Sequence, residues 1–204
     1  LLNMSIYTPT NYILASKLNK YVDPDSEHSE RLSQTGREEG IRRLMSINLL
    51  KRMESSVHSF KLTVNRIYTQ IHNTLDIIGS LQAGSEILVQ DISDYGDIDL
   101  DDQNLDIFNV GKKFRIDIRD MDYLSWQRDL NEDMEILELL LLMIDDITPE
   151  YDYKLNELLK VVEDKINHPI NPDNKKILIF TAFSDTAEYL YANVSGFVKE
   201  KFGI

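Results

Sequence analysis

The feature that most constrains the fold is an apolar stripe with helical spacing within residues 37–80. Its members recur every three or four residues, which places them on one face of an α-helix: Met53, Val57, Phe60, Val64, Ile67, Ile71, Leu75 and Ile78. Because neither proline nor glycine occurs within residues 41–78, the sequence predicts one long helix, capped at its start by Thr35 and ending near Gly79. Such a helix needs other helices to cover its stripe.

Two further helices are predicted to cover this stripe. One begins at Asp120 or Asp122 and carries an apolar stripe of its own, made of Trp126, Leu130, Met134, Leu137, Leu141 and Ile144. Within it, residues 139–143 are apolar all round, so we expect them to be buried on more than one side. The other begins with a capping Thr148 followed by Pro149 and runs to about Ile166. The predicted fold class is therefore mainly α, a long-helix bundle.

Two stretches have strand patterns. Apolar and charged residues alternate over residues 114–119, as in a half-buried strand, and residues 86–90 favour a short one. Residues 175–180 form a nearly continuous apolar run after a turn-rich segment, and a helix is expected from Thr186 to Val194. This last pattern is typical of one β-α unit of a parallel sheet, whose neighbouring strands are missing from the chain. We expect an irregular lead-in over 1–36, a helical domain over 37–168 and the start of an α/β domain over 169–204.

Charge is unevenly distributed. The net charge of −13 disfavours attraction of nucleic acid to the whole surface. Residues 37–66 nevertheless hold seven basic and three acidic side chains, whereas residues 76–110 hold nine acidic and no basic ones. We call residues 80–113 the acidic flap, and its simplest role is attraction to the basic helix within the fold. The chain has no cysteine and no apolar run of membrane length, and we expect a cytoplasmic location.

Three stretches stand in a distinctive order. They are residues 49–56, which include Lys51-Arg52 and Ser55-Ser56, then residues 152–159, and then residues 177–190, which include Thr181-Ala182-Phe183-Ser184-Asp185-Thr186. They resemble superfamily-two helicases, especially prokaryotic relatives of Swi/Snf-type DNA translocases. The first two stretches resemble helices that lie between the motor lobes in that family. The third is similar to the opening of the second RecA-like lobe, which implies that residues 169–204 begin an incomplete α/β RecA-like lobe.

The resemblance implies a nucleic-acid contact at the strand-to-helix turn, through Thr181, Phe183, Ser184 and Thr186. Free amides and the positive end of a helix attract phosphate, which agrees with this role. The alternative is that Ser184 or Asp185 only caps the helix and Phe183 only packs. Four basic residues of the long helix are further candidates for phosphate contact, unless they form a solvated face: Arg43, Lys51, Arg52 and Lys61.

The implied function of the whole protein is ATP-driven translocation on DNA, with ATP and magnesium as its cofactors. This chain has no P-loop, and we predict no catalytic, cofactor-binding or metal-binding residue in it. Its expected partners are DNA and the missing helicase lobes, with no membrane. The alternative is a non-enzymatic helical interaction module that binds a protein through the acidic flap. A metal-dependent enzyme has little support, since the Asp97-Asp99-Asp101 cluster lacks the turn glycine of a calcium loop.

Overall fold

The computed structural model describes residues 2–21, 29–83, 116–172 and 174–203, without the side chains of 29–34. Five α-helices account for most of them: α1 (Ser29–Ser55), α2 (Val57–Gln82), α3 (Tyr123–Asp145), α4 (Tyr153–Asn167) and α5 (Ser184–Phe202). Four short 3₁₀ helices complete the secondary structure of this part of the chain: Ser5–Tyr7, Pro9–Tyr12, Ala15–Lys20 and Ile118–Asp120. The mainly α fold class is confirmed.

The prediction of a single long helix is wrong, because α1 and α2 are separate helices that meet at Ser56. Ser56 adopts an extended backbone, with φ −156° and ψ 148°, and its hydroxyl accepts a hydrogen bond from the amide of Ser59. Serine is a strong N-cap because its side chain satisfies an amide that lacks a helical partner. A helix can thus end without proline or glycine. The predicted cap at Thr35 is also wrong, since α1 already begins at Ser29.

The apolar core lies between α1, α2, α3 and the N-terminal segment. α2 and α3 are antiparallel, as the hydrogen bonds from Lys61 to Asp145 and from Tyr68 to Glu138 show. Most of the predicted stripe residues of α2 and α3 are buried in this core: Phe60, Val64, Ile67, Ile71 and Ile78 from α2, and Trp126, Leu130 and Leu137 from α3. Met53, at the α1 end of the predicted stripe, is instead 49% exposed.

Residues 2–21 lie within the predicted irregular lead-in (1–36), but they are part of this core. Met4, Ile6 and Tyr7 are buried against the helices. Asp133 of α3 accepts hydrogen bonds from the amides of Asn3 and Ser5, and the buried Glu38 of α1 accepts two from Thr10. Buried carboxylates therefore anchor a segment that has little regular structure of its own.

Other helix boundaries differ from the predictions at identifiable places. α3 begins directly after Asp122, whose side chain caps it, as predicted. The prediction that residues 139–143 are buried on more than one side is wrong, because Leu142 is 72% and Met143 is 67% exposed. α4 is capped by Asp152 rather than by Thr148. α5 is longer than predicted at both ends.

The described residues contain no β-strand. Ile116 and Ile118 are buried, as a half-buried strand would require, but Ile118 lies in a 3₁₀ helix, so this part of the predicted 114–119 strand is wrong. One isolated antiparallel bridge joins Ile13 to Met121. Residues 174–180 are non-helical and exposed, and they form no strand within this chain. The predicted strand at 86–90, most of the acidic flap and the aspartate cluster lie outside the described residues.

Replacing Phe60 with alanine is expected to lower the free energy of unfolding by about 3–5 kcal/mol, because it opens a cavity in the core between the helices. Only 7% of Phe60 is exposed. Met53→Ala is the matched control, since it removes an exposed member of the same sequence stripe, and we expect a change below about 0.5 kcal/mol. Urea unfolding followed by circular dichroism measures both. Equal losses in the two variants would contradict the observed burial.

Lowering the pH is expected to destabilise the contact between the N-terminal segment and residues 116–121. Hydrogen bonds from Arg119 lower the pKa of Asp117 to about 2. A hydrogen bond from Lys20, and then one from Tyr21, lower the pKa of Asp120. Unfolded aspartate titrates near pH ~3.9, so both carboxylates stabilise the fold above that pH, and their contribution is lost as the pH falls through their folded pKa values.

The unfolding free energy should therefore decrease between about pH 4 and pH 2. Asp117→Asn should reduce this decrease, and Glu135→Gln on the exposed surface of α3 is the control. Urea unfolding at a series of pH values measures this pH dependence of the unfolding free energy. If Asp117→Asn and Glu135→Gln had the same pH dependence as the unchanged chain, the proposed role of Asp117 would be wrong.

Candidate functional site

Two of the three stretches named above, residues 49–56 and 177–190, meet at the break between α1 and α2, and Arg52 lies at their meeting point. Its side chain is 0% exposed, and its Nη1 lies 2.6 Å from Oδ2 of Asp185 in the first turn of α5. Nη1 also donates to Oγ of Ser59 at 2.9 Å. The guanidinium lies 4.5 Å from the ring centroid of Phe183. A buried charge requires such a partner, and the flat guanidinium suits both the carboxylate and the ring.

A cluster of hydroxyl groups surrounds this ion pair. Oγ of Ser55 lies 2.9 Å from Oγ1 of Thr186, and Oγ of Ser56 lies 3.1 Å from the same atom. Ser55 also lies 3.4 Å from Oγ1 of Thr181. Hydroxyl groups both donate and accept, so they can satisfy one another in a buried place. The Ser-Ser pair that ends α1 is thereby bonded to the turn before α5 and to the first turn of α5.

The charges at this site match the helix ends on which they lie. Arg52 is in the last turn of α1, and Nζ of Lys154 donates to the carbonyls of Glu54 and Ser55 at the same end. Cations stabilise the negative end of a helix, and an acidic side chain in the first turn stabilises the positive end. Asp185 occupies that position in α5. Arg52 and Asp185 therefore each stabilise the end of their own helix and also pair with a residue of another element.

Tyr189 extends the site toward α4. Its hydroxyl donates to Oδ2 of Asp152 at 3.0 Å, and Oδ1 of Asp152 accepts from the amide of Leu155 at the start of α4. The Tyr189 ring stacks on His58, with centroids 4.8 Å apart and planes 8° apart. Burial raises the pKa of Tyr189, and so does the hydrogen bond to Asp152. The phenol therefore remains a hydrogen-bond donor over the ordinary pH range.

An open cavity of about 570 Å³ lies beside the hydroxyl cluster. Residues from the α1–α2 break, from the 147–158 region and from residues 179–190 line it. Three aromatic side chains in its wall are largely exposed, namely Tyr151, Tyr153 and Phe180. Its size is within the range of ligand cavities, roughly 300–1,000 Å³. Four of its polar wall residues, Ser55, Ser56, Asp152 and Thr186, are already hydrogen-bonded to other side chains or to backbone.

Four of the predicted contact residues come together here, and four do not. Arg52, Thr181, Phe183 and Thr186 are in this site, although Arg52, Phe183 and Thr186 are buried. Ser184 follows Phe183 and is exposed. Away from the site, Lys51 is exposed, Arg43 donates to Glu39 and Lys61 donates to Asp145. Contact of these residues with nucleic acid stays a prediction.

The residue-by-residue predictions missed several residues of this site. Ser55, Ser56 and Asp185 lay within the quoted helicase-like stretches but were given no contact of their own. Tyr189 and Lys154 were not considered for a role. The only sequence signal for them was their position inside those stretches, because most of their contacts join residues about 100 or more positions apart.

The chemistry of this site is ionic and hydrogen-bonding. Within the described residues, no group of three histidine, aspartate or glutamate side chains is placed to hold a metal ion. None of the described helices has the length and apolar character needed to span a membrane.

No family model, curated protein or solved structure matches this chain.

Proposed function

We propose that this chain is the inter-lobe helical region and the start of the second RecA-like lobe of a superfamily-two helicase or DNA translocase. One observation carries the proposal. Residues 49–56 and 177–190 were each selected for their resemblance to that family, and the structure joins them through Arg52 and Asp185, which are 133 positions apart. If both stretches belong to one motor, they are expected to pack against each other. If the resemblance of each stretch arose by chance, there would be no reason for them to be in contact.

The exposure of residues 177–180 supports the same proposal. Leu178 is 82% and Phe180 is 88% exposed, whereas Ile177 and Ile179 are less so, which is the alternation of a strand. No backbone hydrogen bond within the described residues involves the amides or carbonyls of 177–181. An apolar stretch with unpaired backbone is what the first strand of a sheet becomes when its neighbours are absent.

A phosphate backbone would be contacted at the start of α5. Phe183 precedes this helix and makes no side-chain cap. Asp185 would repel phosphate, but Arg52 compensates its charge. Ser184 supplies an exposed hydroxyl group and Thr181 a partly exposed one, whereas the Thr186 hydroxyl is buried and bonded to Ser55 and Ser56. Arg43 and Lys51 would add exposed cations on α1, away from the start of α5. ATP and magnesium would bind elsewhere in the parent motor, so the chain itself would not hydrolyse ATP.

Fluorescence anisotropy with a labelled DNA duplex tests the contact. If Arg43 and Lys51 each meet one phosphate, we expect weak binding whose affinity falls about tenfold between ~50 and ~200 mM salt. The Arg43→Ala/Lys51→Ala variant should lose most of this salt dependence. Arg128→Ala/Lys160→Ala, which removes two exposed cations from α3 and α4, is the matched control. Salt-insensitive binding, or equal losses in both double variants, would contradict the contact.

The coding sequence that flanks this chain tests the wider proposal. Upstream we expect a P-loop and an acidic metal-binding motif, and downstream a motif rich in glutamine and arginine that supplies the arginine finger. Finding neither in the flanking reading frame would overturn the assignment to a helicase.

A second candidate is a helical interaction module. The exposed apolar side chains of α3, Leu139, Leu142 and Met143, favour it, because exposed apolar patches mark protein contacts. In this case a protein partner would be lost on deletion of residues 85–110 of the acidic flap, while DNA binding would be unchanged. The helicase proposal expects no such partner.

A further inference from the structure

The main apolar core of the described residues ends with α3. Its members come from residues 2–21, α1, α2, residues 116–121 and α3, and none comes from α4 or α5. We call residues 2–21, α1, α2, residues 116–121 and α3 together the helical body. Helices that share an apolar core unfold together. α4 and α5 contribute nothing to the core of the body, so this interaction does not join them to it.

α4 and α5 are connected to each other at both ends. Near the start of each helix, Tyr189 donates to Asp152, which caps α4. Farther along, Nζ of Lys201 lies 2.6 Å from Oε1 of Glu163. Leu155, Val162 and Ile166 give α4 a buried apolar face separate from the core of the body. We call these two helices the α4–α5 pair.

α5 packs against α2, and the hydrogen bonds, ion pair and ring contacts between the α4–α5 pair and the body come from one short stretch. On the body side these contacts come from residues 52–58: Arg52 with Asp185 and Phe183, Ser55 and Ser56 with Thr186, the carbonyls of Glu54 and Ser55 with Lys154, and His58 with Tyr189. This stretch spans the break between α1 and α2. The open cavity of about 570 Å³ lies in the same joint, lined from both sides, so close packing is incomplete there.

We infer that the α4–α5 pair and the helical body are separate folding units, and that the joint opens together with unfolding of the α4–α5 pair while the body stays folded. The Arg52–Asp185 ion pair is the contact that keeps this joint closed. The inference does not depend on the proposed function.

The physical reason is the kind of contact in the joint. Water can replace the hydrogen bonds of Ser55, Ser56, Thr186 and Lys154 when the joint opens, so their loss costs little. It cannot replace the apolar contacts of the body. The ion pair differs from the hydroxyl groups, because replacing Arg52 removes the cation that compensates the Asp185 carboxylate, whose side chain is only 11% exposed while the joint stays closed. Opening lets that charge reach water, and removing one partner therefore favours the open joint.

Native-state hydrogen exchange of the unchanged chain is the first test. With increasing urea, we expect the slow amides of α4 and α5 to exchange through an opening that has a lower free energy and a smaller urea dependence than the slow amides of α2 and α3. If the slow amides of all four helices followed one common urea dependence, the chain would be a single unit and the inference would be wrong.

Two variants test the role of the ion pair. Arg52→Met should accelerate exchange in α5 by about tenfold or more, while exchange in α2 and α3 changes less than about twofold. Asp185→Asn alters the opposite side of the joint and should give the same pattern, so it keeps the test valid if Arg52→Met disturbs the body. Arg128→Met, which removes an exposed arginine from α3, is the control. Unchanged exchange in α5, or an equal rise in α2 and α3, would overturn the inference.

Discussion

Replacing Asp133 with alanine is expected to lower the free energy of unfolding by about 3–5 kcal/mol, because it leaves the buried amide of Ser5 and the partly buried amide of Asn3 without their acceptor. Asp133 is 0% exposed. Its oxygens lie 2.6 Å from the amide of Asn3 and 2.7 Å from that of Ser5. These bonds flank Met4, a buried residue with the left-handed φ of 57°, a conformation that is costly for a side chain of this kind and needs support on both sides.

Urea unfolding of Asp133→Ala and of Glu132→Ala measures this effect. Glu132 is the adjacent exposed acid of α3, and we expect its substitution to change stability by less than about 0.5 kcal/mol. A loss below about 1 kcal/mol for Asp133→Ala would mean that water or other groups satisfy the two amides equally well.

Replacing Trp126 with alanine is expected to have an effect of similar size, about 3–5 kcal/mol, because it removes the largest side chain of the core. Trp126 is 0% exposed, and its Nε1 donates to the carbonyl of Ser5 at 3.1 Å. Trp126→Phe keeps most of the apolar volume but loses this hydrogen bond, so we expect a smaller loss of about 1–2 kcal/mol.

Circular dichroism is the appropriate probe for these two variants, because Trp126 is the only tryptophan of the chain and its fluorescence is lost with it. Equal stability losses for alanine and phenylalanine would show that the hydrogen bond, and not the packed volume, dominates. A loss below about 1 kcal/mol for alanine would contradict the burial of this side chain.

The helical stripes were the part of the fold that could be predicted. Val64, Ile71, Trp126 and Leu130 are buried where the three- and four-residue spacing placed them, because the side of a helix that faces the core depends only on that spacing. The same rule failed for Met53, since the helix ends at Ser56 and a new one begins. A periodicity argument assumes a continuous helix, and the Ser-Ser pair was the only local sign of the break.

The boundaries of α4 and the role of residues 2–21 show a second limit. Thr148-Pro149 and Asp152 are both plausible helix starts, and local preference alone does not choose between them. Asp152 has an additional partner in Tyr189, a contact over 37 positions. The N-terminal segment has no periodic pattern at all, so its burial could not be predicted from spacing.

Some residues of the candidate site were named from the sequence, but their arrangement was not predicted. Thr181, Phe183, Thr186 and Arg52 were named, yet Arg52 was expected as a cation for phosphate and is buried against Asp185. A basic residue next to exposed neighbours such as Lys51 gives no sign of burial in the sequence. Its acidic partner is 133 positions away, and sequence spacing carries no information about pairs at that distance.

The anchoring of residues 2–21 has a consequence for the order in which the molecule is assembled during synthesis. The groups that hold Asn3 and Ser5 lie on α3, 121–130 positions later. Ribosomes add roughly 5–20 residues each second, so Met4, Ile6 and Tyr7 remain without their final cover for several seconds after they emerge. A nascent chain that stalls before Asp133 would expose these apolar side chains, and chaperones that bind apolar peptides would be expected to recognise it there.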